Sequence, residues 1–477
     1  MFVTIISQIR EDYLTLKGAA LFRPESFSNR VLDRNGRLGQ DACRILAAAV
    51  NAVDPYQCVL EKIHVDDRAL IIENDRYAVQ DYDRLFVLGF GKAAVPMAKA
   101  ALDCFQNRVE LARVITKSPT FLTEAGYLGK LEILIGGHPV PDENSIRATT
   151  GLLAGLPVFT SRDLVIVLIS GGGSALFTSP LGDISLSDLQ LMTTLLLRSG
   201  ADIQEINTLR KHIDGVKGGR FAAMLAPACI HTLILSDVIG DRLDMIASGP
   251  TVADPTTFVD SWGIVEKYDL VEKMPKAILD LIAAGLDGKV QETLKEKDLK
   301  GLCLHNHLVG TNKIASQSAN EEAKRLGYSS AVRTNTLTGL TSHVANNLES
   351  ELKEMKQTER PFCLIYGGEP TVKVVGNGLG GRNQDLVLRM VSNIQDQANV
   401  LFISLATDGE DGPTDAAGAA SDAIVFSEGT KRSLDVNTYI DTNNAYEYLN
   451  KMGALIKTGA TGTNVNDLII ILAGLNQ

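Results

Sequence analysis

Glycine-rich loops that carry polar side chains recur along this chain. The loop Ser170–Ser174 consists of three glycines between two serines and directly follows six apolar residues, Leu164–Ile169. Glycines let the backbone turn tightly and let a ligand approach closely, and successive N–H groups with two hydroxyls can hold an anion such as phosphate. The same residues also suit a tight strand-to-helix turn without a ligand, so this loop alone leaves both interpretations open.

Two other loops place cations beside glycines. The segment Gly89–Ala94 matches the G-x-G-x-x-A form of the dinucleotide fingerprint, but Thr116-Lys117 stands where the next strand should end in an acid. A lysine at a helix N-terminus, such as Lys92 beside Gly91, opposes the helix dipole unless an anion is bound there too. Lys217, which precedes Gly218-Gly219-Arg220, suits phosphate in the same way, or it is the solvated start of a helix.

Several acidic residues follow apolar runs of strand length. Asp237 can hold a metal, take a proton from a hydroxyl or cap a turn. Glu369 follows Gly367-Gly368, and the loop Thr407–Asp415 carries Asp408 and Asp411, which suggests Mg²⁺ or a nucleotide. A capped polar loop is the alternative for the last segment.

One imidazole and one guanidinium complete the set of candidate residues. Arg382 follows four glycines within six residues, and its guanidinium can fork onto phosphate or carboxylate. His138 lies in a rigid loop before Pro139, where it can contact a substrate or bond to the backbone.

The elements that must position these loops alternate between strands and helices. The apolar runs predict strands at 85–89, 164–169, 232–236, 304–309, 362–366, 372–375, 401–406 and 468–472, and a Ser187/Gln190 capping box predicts a helix to about residue 197. This order is typical of an α/β fold: a Rossmann-like, mostly parallel sheet with helices on both faces, plus a second, smaller α/β domain. We expect the domains to span residues 1–300 and 301–477, and ligands to gather at the carboxyl ends of the strands.

Composition limits the function further. The chain has 477 residues with a net charge of −11, which argues for at least two domains and against a nucleic-acid surface. No apolar run reaches the length of a membrane span, and no CxxC pair indicates a zinc site or redox motif. We expect a cytoplasmic protein with thiol cysteines. Walker A, kinase, GxSxG and HExxH signatures are not present in the sequence.

Taken together, the motifs resemble those of the class II glycerate 2-kinases, which pair a DUF4147-type domain with a MOFRL domain. The matching segments appear in the family's order from about residue 40 to the C-terminus. They are GFGKA at 89–93, GHP at 137–139, SGGGSA at 170–175, KGGR at 217–220, SDV at 236–238, ASGPT at 247–251, GGEPT at 367–371, GGRNQ at 380–384 and TDG at 407–409. Ile239 stands where the family often has proline, and Arg242-Leu243 replaces a more acidic pair.

The resemblance implies phosphorylation of D-glycerate at its 2-hydroxyl by ATP with Mg²⁺, in a cleft between the two domains. It implies that the family's functional lysine, aspartate and arginine correspond to Lys92, Asp237 and Arg382. We expect a monomer or homodimer whose partners are small molecules only. The substrate- or phosphate-binding candidates are Gly91, His138, Ser170, Gly171, Gly172, Gly173, Ser174 and Lys217, and the nucleotide or metal candidates are Glu369, Asp408 and Asp411.

Two other functions stay open from the residues alone. The Gly89–Ala94 loop also suits an NAD(P)H-dependent oxidoreductase acting on hydroxypyruvate or glycerate, although the missing acid at Thr116-Lys117 disfavours it. The second is a non-catalytic protein that binds a nucleotide or sugar acid.

Overall fold

The computed structural model describes residues 22–66, 68–117, 126–355 and 361–475. The chain forms two compact units. The first comprises Pro55–Ser236 and Asp241–Val309, and the second comprises the segment that ends at Asp54, Asp237–Gly240 and the chain from Gly310 onward. Among the described residues, no helix is both long enough and apolar enough to cross a bilayer.

The first unit contains a seven-stranded sheet and a small three-stranded sheet. Its strands are β1 Ile63–Val65, β2 Ala69–Ile72, β3 Asp75–Ala78, β4 Arg84–Phe90, β5 Val109–Lys117, β6 Gly126–Leu128, β7 Leu131–Gly136, β8 Asp163–Ile169, β9 Cys229–Leu235 and β10 Leu304–Gly310. The large sheet has the order β10-β9-β8-β4-β5-β7-β6, and the small sheet has the order β1-β2-β3. Strands β9, β8, β4, β5 and β7 run parallel, and β6 is antiparallel to β7. The predicted mostly parallel α/β sheet is therefore confirmed.

Helices follow most strands of this unit, as the alternating pattern predicted. The α-helices are Pro55–Leu60, Ala94–Phe105, Glu143–Leu153, Gly173–Leu176, Leu186–Ser199, Ile203–His212, Arg220–Leu225, Phe258–Lys267, Lys276–Leu286 and Glu296–Leu299, and the 3-10 turns are Val79–Asp81, Gln106–Arg108 and Ile246–Ser248. Because both faces of β8 are covered, all seven of its residues are buried.

The second unit has a six-stranded mixed sheet. Its strands are β11 Ser329–Leu337, β12 Phe362–Gly368, β13 Val400–Ala406, β14 Gly418–Ser421, β15 Leu455–Ile456 and β16 Asp467–Ala473, in the order β11-β12-β16-β13-β14-β15. Strands β12 and β13 both run antiparallel to β16, so their carboxyl ends flank its first residue. In this register Asp467 lies opposite Gly368 on one side and Ala406 on the other.

The helices of the second unit include two from the start of the described chain. They are Arg30–Arg34, Gly36–Asn51, Asn312–Arg325, Thr341–Met355, Arg382–Asn393, Ala423–Lys431, Val436–Asp441 and Ala445–Met452, with a 3-10 turn at Pro24–Phe27. Helix Gly36–Asn51 packs beside Asn312–Arg325, and the Ser318 hydroxyl donates to the Ala48 carbonyl. These contacts place the described residues before 55 in the second unit. The sequence instead predicted a single boundary near residue 300.

Three local expectations differ from the structure. Residues 372–375 form no strand, because Val374 and Val375 face solvent and the Val375 N–H bonds to the Asn443 side chain. The capping box lies at Ser185 and Asp188 rather than at Ser187 and Gln190. The expectation of thiols fails for one pair of cysteines. Neighbouring strands bring the Cα atoms of Cys229 and Cys303 to 4.6 Å, and the two form a disulfide.

Gly91, directly after β4, lies against Ser170, directly after β8. Its φ is +128°, and a Cβ there would lie 2.2 Å from the Ser170 hydroxyl oxygen and 2.5 Å from the Ser170 carbonyl oxygen. No L side chain fits at position 91 without displacing the backbone. Glycine is therefore required directly before Lys92.

Replacing Gly91 with alanine therefore tests this close approach. We expect Gly91→Ala to lower the free energy of unfolding by about 3 kcal/mol, since left-handed strain and overpacking add. Gly288→Ala is the matched control, because Gly288 has a φ of +72° with open space around it and should lose only about 1 kcal/mol. Equal losses for the two variants in urea unfolding would contradict the steric account.

Candidate active site

The loops after β4 and β8 are joined by three hydrogen bonds. The Ser170 N–H donates to the Phe90 carbonyl, and the Lys92 N–H donates to the Gly171 carbonyl at 2.9 Å. The Ser170 hydroxyl accepts a hydrogen bond from the Ala93 N–H at 2.9 Å. Because β4 and β8 are parallel neighbours, these bonds fix Lys92 and the Ser170–Ser174 loop at one edge of the sheet.

His138 joins the same edge from the loop after β7. A Cβ on Gly172 would lie 2.7 Å from His138 Cδ2 and 3.4 Å from Lys92 Cε, so the imidazole and the lysine stem both contact this glycine. Burial, together with the charges of Lys92 and Lys117, lowers the pKa of His138 to about 4. The imidazole is therefore neutral near pH 7.

The charge at this edge is unbalanced. None of the described residues places a carboxylate within ion-pair distance of Lys92 or Lys117. Within the same described part of the chain, the N–H groups of Gly171–Gly173 also have no acceptor. Two unmatched cations beside three available backbone donors make a site that an anion would complete.

A second layer of hydroxyls supports the Ser170–Ser174 loop. The Ser174 and Ser248 hydroxyls share a hydrogen bond of 2.9 Å, and Ser248 donates to the Asn207 side chain at 3.2 Å. Ser248 has a positive φ of 61° and is fully buried. Sequence reasoning did not include Asn207 or Ser248 among the site residues, although Ser248 lies in the ASGPT segment.

Lys217 does not join Lys92. Its ammonium is buried, donates to the Phe177 carbonyl and pairs with Asp214 at 3.1 Å. Burial lowers the pKa of Lys217, and Asp214 opposes that change. Because the partners of this ammonium lie within the protein, Lys217 is not carried into the proposed site.

Asp237 directly follows Ser236, at the carboxyl end of β9, and is half-buried. Since β9 is parallel to β8, Asp237 and the Ser170–Ser174 loop both follow the carboxyl ends of strands at the same edge of the sheet.

In the second unit, Arg382 is held by two carboxylates. Its Nε and Nη2 donate to the two carboxylate oxygens of Asp467 at 2.6 and 2.9 Å, and Nη1 lies 3.1 Å from Glu369 Oε1. Asp467 is completely buried, whereas the Arg382 side chain is 30% exposed. Burial raises the pKa of Asp467 to about 7, and the hydrogen bonds from Arg382 oppose that rise. Asp467 thus fixes the guanidinium plane, a role that sequence reasoning missed.

Asp411 and Asp408 have different environments. Asp411 is buried and accepts hydrogen bonds from the N–H groups of Asn383 and Gln384, at the start of helix Arg382–Asn393. Its carboxylate therefore caps the helix that carries Arg382. Asp408 is partly exposed and accepts from the Glu410 N–H at 3.0 Å.

Comparisons with known proteins show the family to which the chain belongs. A family model described as a domain of unknown function, DUF4147, matches residues 41–283, and a MOFRL family model matches residues 362–467. The chain is 42% identical to the glycerate 2-kinase of Pyrococcus horikoshii over 90% of this chain and 96% of that protein. The chain belongs to the DUF4147–MOFRL glycerate kinase family.

Two other relatives of this glycerate kinase family member complete the comparison. A crystal structure of a glycerate kinase from Thermotoga maritima superposes with a TM-score of 0.80 and 38% identity, covering 91% of this chain and 99% of that one. A protein of Agrobacterium vitis named putative hydroxypyruvate reductase is 34% identical over 90% of this chain and 93% of that protein.

The helix-capping role of Asp411 is open to a direct test. We expect Asp411→Ala to lower the free energy of unfolding by about 2 kcal/mol while the Mg²⁺ concentration for half-maximal turnover stays unchanged. Asp415→Ala removes an exposed acid of the same loop and is the matched control. A raised Mg²⁺ requirement with unchanged stability would instead make Asp411 a metal ligand.

The neutral state of His138 predicts part of the acid sensitivity of the fold. The unfolded chain binds a proton at this residue below about pH 6.5 and the folded chain only below about pH 4, so stability rises with pH between these values. We expect His138→Asn to flatten the rise in urea midpoint between about pH 4 and pH 6.5. His64→Asn replaces an exposed histidine as control. An unchanged slope for His138→Asn would show that this imidazole binds protons equally in the folded and unfolded chain, which contradicts the lowered pKa.

Proposed function

We propose that the chain transfers the γ-phosphoryl group of ATP to the 2-hydroxyl of D-glycerate, giving 2-phosphoglycerate and ADP. The observation that carries this proposal is the unbalanced positive charge of Lys92 and Lys117 beside the N–H groups of Gly171–Gly173. Both substrates and both products are anions, so this edge suits any of them. The names of the Pyrococcus and Thermotoga relatives support this activity.

Each proposed residue has one role. Lys92 and Arg382 neutralise the glycerate carboxylate and the phosphoryl oxygens, where charge is spread in the transition state. Asp237 orients the 2-hydroxyl and takes its proton as the oxygen attacks the γ-phosphorus. The bond from that phosphorus to the β–γ bridging oxygen breaks, and ADP leaves. The Ser170–Ser174 loop supplies backbone N–H groups, and His138 fixes the stem of Lys92 without adding charge.

The donor chemistry of the second unit fits Mg²⁺ in part. Glu369 and Asp408 are half-buried carboxylates after β12 and β13, which end at the same edge of the sheet. Asp411 does not fit, since both of its oxygens already accept hydrogen bonds from the helix N-terminus. When bound with ATP, Mg²⁺ would neutralise phosphate charge and favour departure of ADP.

An oxidoreductase acting on hydroxypyruvate is the second candidate. The name of the Agrobacterium relative favours it. Lys117 at the end of β5 disfavours NAD, because the ribose of that cofactor is normally held by an acid at this position. ADP formation that requires D-glycerate, with no NADH oxidation in the presence of hydroxypyruvate, would support the kinase. NADH oxidation without ATP would support the oxidoreductase.

Loss of Lys92 should abolish most turnover. We expect Lys92→Ala to lower kcat by about 100-fold to 1,000-fold, by analogy with removal of one preorganised charge donor. Lys99→Ala is the matched control, because Lys99 lies on the helix that follows β4 and pairs with Asp103 at its surface. Near-normal ADP release by Lys92→Ala in a coupled assay would refute the assignment.

The contribution of Arg382 to turnover should depend on the orientation in which Asp467 holds its guanidinium. We expect Arg382→Lys to lower kcat about 100-fold, since one ammonium cannot replace a guanidinium held on two sides. Arg389→Lys on the same helix serves as control. If Lys92 and Arg382 act in one step, the double alanine variant should lose little more than the worse single variant. Fully multiplicative losses would assign the two cations to separate steps.

A further inference from the structure

A cluster of histidines lies within strands of the first unit, whereas the proposed catalytic residues of this unit follow the carboxyl ends of strands. His231 comes from β9, His305 and His307 come from β10, and β3 contributes Asp75 and Tyr77. Alternate residues of a strand share a face, so His305 and His307 form one pair, and Asp75 and Tyr77 form another. The three imidazole rings are nearly parallel, with interplanar angles of 3° to 5°.

His231 is at the centre of this cluster and is fully buried. Its Nε2 lies 2.9 Å from the Tyr77 hydroxyl, and its Nδ1 lies 3.0 Å from Nε2 of His307. One carboxylate oxygen of Asp75 and one ring nitrogen each of His231 and His307 lie within 4.8 Å of one another. Two nitrogens and one oxygen therefore lie close enough together to hold one metal ion.

We propose that Asp75, His231 and His307 bind a divalent transition-metal ion of the zinc type. Imidazole nitrogen and carboxylate oxygen are the donors that Zn²⁺ takes alongside thiolate, and water completes a four-coordinate set. In the tautomer that binds the metal, Nε2 of His231 would donate to the Tyr77 hydroxyl, and the metal would take the Nδ1 lone pair that now faces Nε2 of His307. Tyr77 is thus the residue that selects the tautomer.

The surroundings favour this donor set over the neighbouring one. Cys229 and His305 make another convergent group with His231. Cys229 is disulfide-bonded to Cys303, however, and a disulfide sulfur lacks the negative charge of a thiolate ligand.

Such an ion would connect the small sheet to the edge of the large one. Asp75 belongs to β3, whereas His231 and His307 belong to β9 and β10. The cysteine spacing gave no indication of this site, because its ligands come from three strands and none is a thiol. The signal in the sequence is the alternation His305-Asn306-His307 within an apolar strand.

Metal binding by the full-length protein tests the proposal. The protein is dialysed against chelator without reductant, and Zn²⁺ uptake is then measured by competition with a chromophoric chelator. We expect one equivalent of Zn²⁺, a higher thermal midpoint on binding, and a Co²⁺ derivative without thiolate charge-transfer bands. Asp75→Asn and His307→Gln should each weaken Zn²⁺ binding more than about 10-fold, and Tyr77→Phe about 10-fold.

Two controls separate this site from its neighbours. His64→Gln removes an exposed histidine of β1 and should leave Zn²⁺ affinity unchanged. The double variant Cys229→Ser/Cys303→Ser should also keep it. No uptake by the wild-type protein, unchanged affinity in both Asp75→Asn and His307→Gln, or loss of binding in the double serine variant would each overturn the proposal. Because the readout is metal binding, its failure does not bear on the kinase reaction.

Discussion

The candidate site of the first unit depends on how close the loops that follow β4 and β8 lie to each other. Gly91 and Ser170 are in contact with no room for a side chain between them, and the Ser170 hydroxyl takes the Ala93 N–H. This contact places Lys92 against Gly172 and His138, with no carboxylate among the described residues to neutralise it. The position of Lys92 therefore depends on the glycine at position 91. The positive charge of the site remains because no carboxylate among the described residues pairs with this lysine.

In the second unit, by contrast, the cation is paired with carboxylates. Arg382 is fixed by carboxylates before any substrate arrives: Asp467 holds one side of the guanidinium, Glu369 contacts another nitrogen, and Asp411 caps the helix that begins at Arg382. A guanidinium held in this way needs no rearrangement during the reaction, which is what electrostatic preorganisation requires. Acidic residues here serve first as a scaffold for a cation, and Glu369 and Asp408 are the carboxylates proposed for Mg²⁺.

The sequence predicts the parallel sheet and its strand-end loops well, since a buried run such as Leu164–Ile169 followed by glycines has few other structures. It predicts Lys92, His138 and the Ser170–Ser174 loop as a group for the same reason. It does not distinguish Lys217 from Lys92, because burial beside Asp214 depends on distant packing. Asp467 was missed since a carboxylate at the start of an apolar strand has no motif around it, and the Val374-Val375 pair shows that apolar residues alone do not make a strand.

The central claim is that these positions direct the γ-phosphoryl group of ATP to the 2-hydroxyl of D-glycerate. The most direct measurement is phosphorus NMR of the product formed by the wild-type protein from ATP, Mg²⁺ and D-glycerate, with proton coupling to identify the phosphorylated carbon. We expect a signal coupled to the single C2 proton, which identifies 2-phosphoglycerate. A signal coupled to the two C3 protons, or no phosphorylated product, would contradict it.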